Sequence, residues 1–359
     1  MVTRTFCCEY IWADGTEPTQ SLRSKTMVLS LTKDGENEAI RLDDFPVWNF
    51  DGSSTNQGTT EDSDRVLRPV FACSNPLRPS SILVLCDVLN TDLTPHSSNY
   101  RSKLMDVYAG SVSSEPVAGF EQEYFIRDEN GIAGWPKSGM PSSQGQYYCA
   151  VGSGNVAQRD LAESHLDACM AAGLSITGIN AEVALGQWEY QVGGPTVSAI
   201  TAADHLWISR YILRKLGERN GLSIDLDPKP IMGDWNGSGL HVNYSTKEMR
   251  SEGGIKVINS AINSLSEDTS ISLAKNNYGD GLERRLTGKH ETSDINTFTS
   301  GVSDRSASVR IPWQVSMSGR GYFEDRRPNS NADPYRVLFV LMSSIVTDNI
   351  AESENINES

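Results

Sequence analysis

Over residues 1–90, apolar and polar positions change places in short runs and never settle into a helical period. The runs at residues 6–12, 66–73 and 82–89 are rich in β-branched and aromatic side chains and stop at Gly, Asp, Asn or Pro, which predicts strands joined by turns. The sharpest change follows at residues 90–100, NTDLTPHSSNY, a polar stretch containing Pro95 that reads as a linker. A first unit of residues 1–94 and a second of 95–359 are expected.

In the second unit the period changes. Val156, Leu161, Leu166, Cys169 and Met170 recur at near-helical spacing between Ser153 and Gly173, and the glycine is suited to the C′ position. A second helix is expected from Thr201, opened by a Thr201-x-x-Asp204 cap, and a third from Gly253. Asp333-Pro334 offers an N-cap and an N1 proline for a last helix to about Val346, ahead of a polar acidic tail expected to fray. Strands intervene: residues 180–192 read as a hairpin turning near Leu185-Gly186, and residues 239–245 and 321–327 alternate. Strands in one sheet with helices grouped beside it make the fold class α+β, not doubly wound.

Composition narrows the partners. The chain has a formal net charge of -15 and no cluster of five or six basic residues, which disfavours nucleic acid and favours cations. Its longest apolar run, residues 337–342, is far below the ~20 residues of a membrane span. Cys7, Cys8, Cys73, Cys86, Cys149 and Cys169 form no CxxC pair or disulfide framework. A cytoplasmic protein with reduced thiols is the expectation.

The stretch GFEQEYFI, residues 119–126, is strand-like yet holds two carboxylates. Alternation puts Glu121 and Glu123 on one face, about 7 Å apart along the strand. Two carboxylates about 5 Å apart repel by about 3 kcal/mol at an effective dielectric of 20, so an inward-facing pair calls for a counter-charge. Glu182 and Glu189 occupy the two arms of the expected hairpin, His241 and Asn243 share one face of their strand, and Glu324 lies in the strand at 321–327. Five carboxylates and one imidazole among core-like residues select a hard divalent ion, and six ligands suit two or more ions. Against the acidic background, Arg284, Arg285, Arg305, Arg310, Arg326 and Arg327 gather within residues 284–327. Each is a candidate either for an ordinary ion pair or for a bidentate phosphate or carboxylate clamp. Neither common glycine-rich nucleotide loop is present, while Gly233, Gly237 and Gly239 would allow close backbone approach.

With these motifs the sequence resembles the glutamine synthetase family, in its eukaryotic-type (type II) branch. The matching stretches run in family order: WNFDGSST (48–55), GFEQEY (119–124), QGQYYCAVG (144–152), INAEVALGQWEYQVG (179–193), DPKPIMGDWNGSGLHVNYSTK (227–247), RLTGKHET (285–292), RSASVRIP (305–312) and GYFEDRRPNSNADPY (321–335). The resemblance implies a small N-terminal β-grasp domain, then a catalytic domain with a curved antiparallel sheet flanked by helices. It also implies ATP-dependent ligation of ammonia to glutamate through a γ-glutamyl phosphate, with two or three Mg²⁺ or Mn²⁺ ions per site. Glu123, Glu182 and Glu189 are then expected to hold the ion near glutamate, and Glu121, His241 and Glu324 the ion bridging the ATP phosphates. Arg285 and Arg326 are expected to clamp glutamate and the transferred phosphoryl group, Asn236 and Gly237 to contact the amino acid, Arg305 and Arg310 to bind phosphate, and Asn243 and Tyr322 to line the nucleotide side. Asp51, Ser54, Tyr148 and Glu291 resemble the ammonium pocket, with Asp51 as the base and Glu291 on a closing flap. Asp51 and Ser54 are expected from an adjacent subunit of a decamer of two pentameric rings.

The sequence departs from the family pattern at Thr59 and Thr60, at Asp304 beside Arg305, at Trp313, and along residues 266–277. None of these changes removes an expected metal ligand.

Overall fold

The computed structural model describes residues 1–34 and 39–356, with side chains through residue 345. Its first sheet holds five strands: β1 (Val2–Ala13), β2 (Leu22–Lys33), β3 (Trp48–Asp51), β4 (Asp64–Ser74) and β5 (Ser81–Leu89), in the order β2-β1-β5-β4-β3. β1 and β5 are parallel at its centre and the other pairings antiparallel. Period-two alternation divides its side chains. Cys8, Tyr10, Trp12, Ile82, Val84, Cys86 and Val88 form a core of their own, whereas Ile11, Leu83 and Leu85 point the other way into the main core. β5 is buried at every position, so its sequence is apolar except for Ser81 and for Asp87, which pairs with Arg68 at 2.8 Å.

After α1 (Tyr100–Ser111) comes a second sheet built from β6 (Val117–Asp128), β7 (Gly131–Ile132), β8 (Ile176–Ala181), β9 (Gln187–Ser198), β10 (Ser223–Asp225), β11 (Leu240–Ser245), β12 (Ser300–Val302), β13 (Val309–Ile311) and β14 (Phe323–Asp325). Among the described residues its order is β12-β13-β14-β11-β6-β9-β8, with β7 and β10 also paired to β6. It is antiparallel except for β12 with β13. Helices α2 (Arg159–Ala171), α3 (Ala199–Asn220), α4 (Lys247–Arg250), α5 (Ile255–Leu265), α6 (Asp268–Asn277), α7 (Leu282–Arg285), α8 (Trp313–Ser318) and α9 (Pro334–Ile356) complete the chain. α3 is buried along most of its length against α2, β6 and β9. The α+β expectation holds.

Several local expectations are corrected. β2, β3 and α1 were not legible as elements, and the helix expected from Ser153 begins at Arg159. The last helix extends in backbone to Ile356, beyond the expected end near Val346, and residues 357–359 of the acidic tail lie outside the described residues. Its start is as expected, with Asp333 accepting the Tyr335 N–H at 2.8 Å ahead of Pro334.

The capping reading of Thr201 and Asp204 fails because α3 starts two residues before Thr201, capped by the Ser198 hydroxyl. Asp204 is instead a buried acceptor inside the helix. It takes two hydrogen bonds from Arg101, at 2.8 and 3.0 Å, and one from the Tyr335 hydroxyl at 2.6 Å, joining α1, α3 and α9. Replacing it leaves a largely buried guanidinium without its carboxylate, so Asp204→Ala is expected to lower unfolding free energy by about 3 kcal/mol in a denaturant titration. An unchanged midpoint would show that the triad contributes nothing net.

Candidate active site

The centre of the second sheet presents one polar face. Along β6, Glu121 and Glu123 point the same way; antiparallel register sets Glu121 opposite His241 of β11, and Glu123 opposite Glu189 of β9. On the far side of β11, Asn243 is opposite Glu324 of β14. Alternation within each strand and register between strands thus bring residues about 200 positions apart in sequence onto one surface.

His241 Nδ1 lies 3.3 Å from Glu121 and 3.6 Å from Glu324. Asn243 donates to the other Glu121 oxygen at 2.8 Å. Two overlapping groups have ligand atoms within 4.8 Å of one another: Glu121, His241 and Glu324, and Glu123, Glu189 and His241. The first is the expected set. In the second, His241 stands where Glu182 was expected. Glu182 lies beyond the end of β8, two registers from Glu189 rather than abreast of it, with its oxygens engaged by Asn180 at 2.9 Å and the Val183 N–H at 3.0 Å.

These groups line a cavity of about 600 Å³ together with Tyr148, Glu182, Asn236, Gly237, Arg285, Glu291, Arg305, Arg310 and Arg326. Burial pushes the Glu182 carboxyl up to about 8, with the neighbouring Glu123 adding to the effect. Glu123 and Glu189 are raised by burial as well, Glu189 strongly and with Glu121 contributing. Burial, reinforced by Arg326, holds His241 well below the ordinary imidazole range, leaving a neutral ring at pH 7. Desolvated carboxylates facing one another beside a neutral imidazole have the donor chemistry of a hard divalent-cation site.

A second, more apolar cavity of about 380 Å³ shares Glu121 and Gln191 with the first and includes Asn243 and Tyr322 in its wall. Asp51 and Ser54 line neither cavity. Asp51 is exposed at the end of β3, where hydrogen bonds from Ser53, both backbone and hydroxyl, hold its carboxyl below the usual range; Ser54 adds another at 3.2 Å.

The arginines separate by partner. Arg284 pairs with Asp227 at the surface, and Arg327 makes a bidentate pair with buried Asp325 beside Tyr278. Arg310 and Arg326 converge on Glu324, at 2.7 and 2.6 Å. Arg285 faces the cavity, but its donors are directed to the carbonyls of Arg326, Arg327 and Pro328, so in this conformation it braces the strand end instead of presenting a free clamp. Gly239 packs closely here: a Cβ would lie 2.4 Å from Arg285 Nη2 and 2.8 Å from His241 Nε2 and would displace those side chains, so the close approach is to site residues of the protein itself.

Sequence reasoning missed Asn180, Gln191, His290 and Thr292 in the cavity wall. Gln191 was within reach, since it follows Glu189 by two in the same strand. His290 and Glu291 both adopt left-handed backbone, at φ 55° and 60°, a conformation not readable from local pattern. Of the departures, Asp304 accepts from Ser306 in a tight turn, Trp313 opens α8 and is exposed, and the weakly matching residues 266–277 form mostly α6. The Thr59–Asp62 turn is closed by hydrogen bonds in both directions.

Two family models match: the glutamine synthetase β-grasp domain over residues 5–91 and the glutamine synthetase catalytic domain over residues 101–267. The chain is 51% identical over 341 residues to a glutamine synthetase of Streptomyces viridochromogenes, covering 95% of this chain and 96% of the relative. The chain belongs to the glutamine synthetase family. A glutamine synthetase of Streptomyces hygroscopicus is 47% identical, with 97% and 98% covered, and one of Colletotrichum gloeosporioides is 48% identical, with 94% and 91% covered. In glutamine synthetase terms, the five-stranded sheet is the β-grasp unit and the polar face of the second sheet belongs to the catalytic unit. No helix among the described residues is long and apolar enough to cross a membrane.

Proposed function

We propose that the larger cavity is the site where glutamate, ATP and ammonia react. The enzyme is a glutamate–ammonia ligase, forming glutamine with ATP cleavage to ADP and phosphate. The observation that carries the site assignment is the convergence of Glu121, Glu123, Glu182, Glu189, Glu324 and His241 on one cavity, beside Arg310 and Arg326.

Glu121, His241 and Glu324 would hold one divalent ion, and Glu123, Glu182 and Glu189 another, with His241 close to both groups; Mg²⁺ or Mn²⁺ would fit, at two or three per site. When bound, these ions neutralise phosphate charge and template the in-line transfer. Adenine enters the apolar cavity beside Tyr322 and Asn243. Asn236 and Gly237 hold the amino-acid end of glutamate, whose γ-carboxylate oxygen attacks the γ-phosphorus as ADP leaves. Arg305, Arg310 and Arg326 bind phosphate oxygens, for which the latter two exchange their pairing with Glu324. Arg285 acts on glutamate through the wall it braces.

Glu291 closes over the acyl phosphate and excludes water, which would otherwise hydrolyse it. Ammonium enters beside Tyr148, Glu291, Ser54 and Asp51; Asp51 takes its proton, ammonia attacks the acyl carbon, and phosphate leaves. An adjacent subunit supplies Asp51 and Ser54, a reading supported by their position outside their own cavity; the assembly of two pentameric rings is what the family resemblance implies. The β-grasp domain is assigned residues 1–94 and the catalytic domain 95–359, and six free cysteines favour the cytoplasm.

The decisive assay is phosphate release from ATP with Mg²⁺ or Mn²⁺. It should require glutamate and ammonium together; release independent of either, or none with both metals tried, overturns the assignment.

Metal removal has a signed pH consequence. Groups raised in the folded state contribute stability that is lost as pH rises through their folded values, while depressed His241 costs stability only below about 6.5. Between pH 6.5 and 8 the metal-free protein should therefore lose thermal stability, and excess Mg²⁺ should restore more of it at pH 8 than at 6.5. A melting-temperature difference between metal-bound and metal-free protein that is flat over this window would contradict the desolvated-carboxylate account.

A further inference from the structure

We infer that Gln191 and Asn180 form an amide relay that links Glu182 to Glu189 and positions Glu189 as a one-oxygen ligand, and that this relay sets a preference for Mg²⁺ over Ca²⁺. The inference rests on the reading of the cavity as a divalent-ion site.

The relay runs across β8 and β9. The Gln191 amide donates one hydrogen to Glu189 Oε1 and the other to Asn180 Oδ1, the latter at 2.8 Å. With its carbonyl so occupied, Asn180 turns its own amide to Glu182 Oε1 at 2.9 Å. With the carboxylates ionised, as cation binding requires, the direction is fixed at both ends, because they then only accept and an amide flip would set oxygen against oxygen. Glu123 is held the same way, its Oε2 accepting the Gly239 N–H at 2.5 Å. Glu189 and Glu123 thus each keep one oxygen tied to the protein and the other open to the cavity.

A carboxylate pinned through one oxygen is poorly placed for bidentate chelation. Ca²⁺ favours six to eight oxygens and accepts bidentate carboxylates at 2.3–2.6 Å, whereas Mg²⁺ takes an octahedron of single oxygens at 2.0–2.1 Å. Outer hydrogen bonds that fix a ligand's orientation also raise affinity for the ion that the fixed geometry suits.

An independent feature of the backbone serves the same arrangement. Gly178 is the cross-strand partner of Gln191, at an irregularity in the β8–β9 register, and a Cβ there would lie 2.6 Å from Gln191 Oε1. Any side chain at residue 178 would push the amide away from Glu189. Gly178→Ala therefore disturbs the relay without removing a polar group, whereas Gln191→Leu removes the amide at similar volume.

The test is calorimetric titration of the metal-stripped, full-length protein with MgCl₂, MnCl₂ and CaCl₂, with folding confirmed by circular dichroism. In Gln191→Leu, Mg²⁺ and Mn²⁺ affinity should fall by roughly 10–100-fold, with a smaller loss for Ca²⁺. Gly178→Ala should shift the Mg²⁺ to Ca²⁺ ratio in the same direction, and provides the answer by itself if Gln191→Leu does not fold. Equal weakening of all three ions, or unchanged affinities, overturns the inference while leaving the metal site intact. Absence of Mg²⁺ and Mn²⁺ binding by the unsubstituted protein would overturn the metal-site reading itself.

Discussion

Glu123→Ala is expected to lower kcat/KM by roughly 1000-fold or more, a loss of about 4 kcal/mol of transition-state stabilisation, while the protein stays folded. Both halves follow from the position of the side chain. Glu123 sits in mid-strand opposite Glu189, with Glu121 on the same face, and burial of its charge outweighs the attraction of Arg285 and Arg326, with Glu121 adding repulsion. Removing it deletes a proposed ligand and relieves the cost of burying that charge, so the metal-free melting temperature should stay level or rise. Glu123→Gln keeps an acceptor for the Gly239 N–H and separates the two effects. Turnover within tenfold of the unsubstituted enzyme, with metal binding intact, would remove Glu123 from the site. A large drop in metal-free stability would show that the carboxylate is structural.

The second large effect is recovery of activity from two inactive proteins. Asp51→Asn and Glu123→Gln should each be nearly inert in steady-state assays. If Asp51 serves the cavity of a neighbour, co-assembly of the two at equal amounts places an intact Asp51 beside an intact Glu123 at roughly a quarter of sites. Activity near that fraction, absent when the separately assembled proteins are merely combined, is the expected result. No recovery after verified co-assembly would mean that each chain completes its own site by a rearrangement bringing Asp51 and Ser54 to the cavity.

Local pattern made the inner face legible before any tertiary information. The alternation that sets Glu121 with Glu123, and His241 with Asn243, is a property of extended backbone, and the structure preserves both pairs. The same rule placed strands on three of the five members of the first sheet. It failed for β2, whose polar and apolar residues mix on both faces, and for α1, whose first residue, Tyr100, fell at the end of the expected linker.

Pairing was not legible. Six arginines looked alike in sequence, yet Arg327 is committed to Asp325, Arg284 to Asp227, and Arg285 to backbone carbonyls, while Arg310 and Arg326 face the cavity through Glu324. Asp204 likewise passed for a capping residue until Arg101, more than a hundred positions away, was found against it.

The sequence by itself determined which side chains share a face of a strand, because that depends only on successive backbone dihedrals. It also determined, through motifs in family order, that the chain carries the full set of expected metal-binding and ammonium-pocket residues. The tertiary structure alone decided that His241 rather than Glu182 completes the second close group, that Gln191 and Asn180 link two carboxylates, and that Asp51 stands outside its own cavity. These depend on register between distant strands and on competition among like charges for the same partners, and neither is encoded in any short stretch of chain.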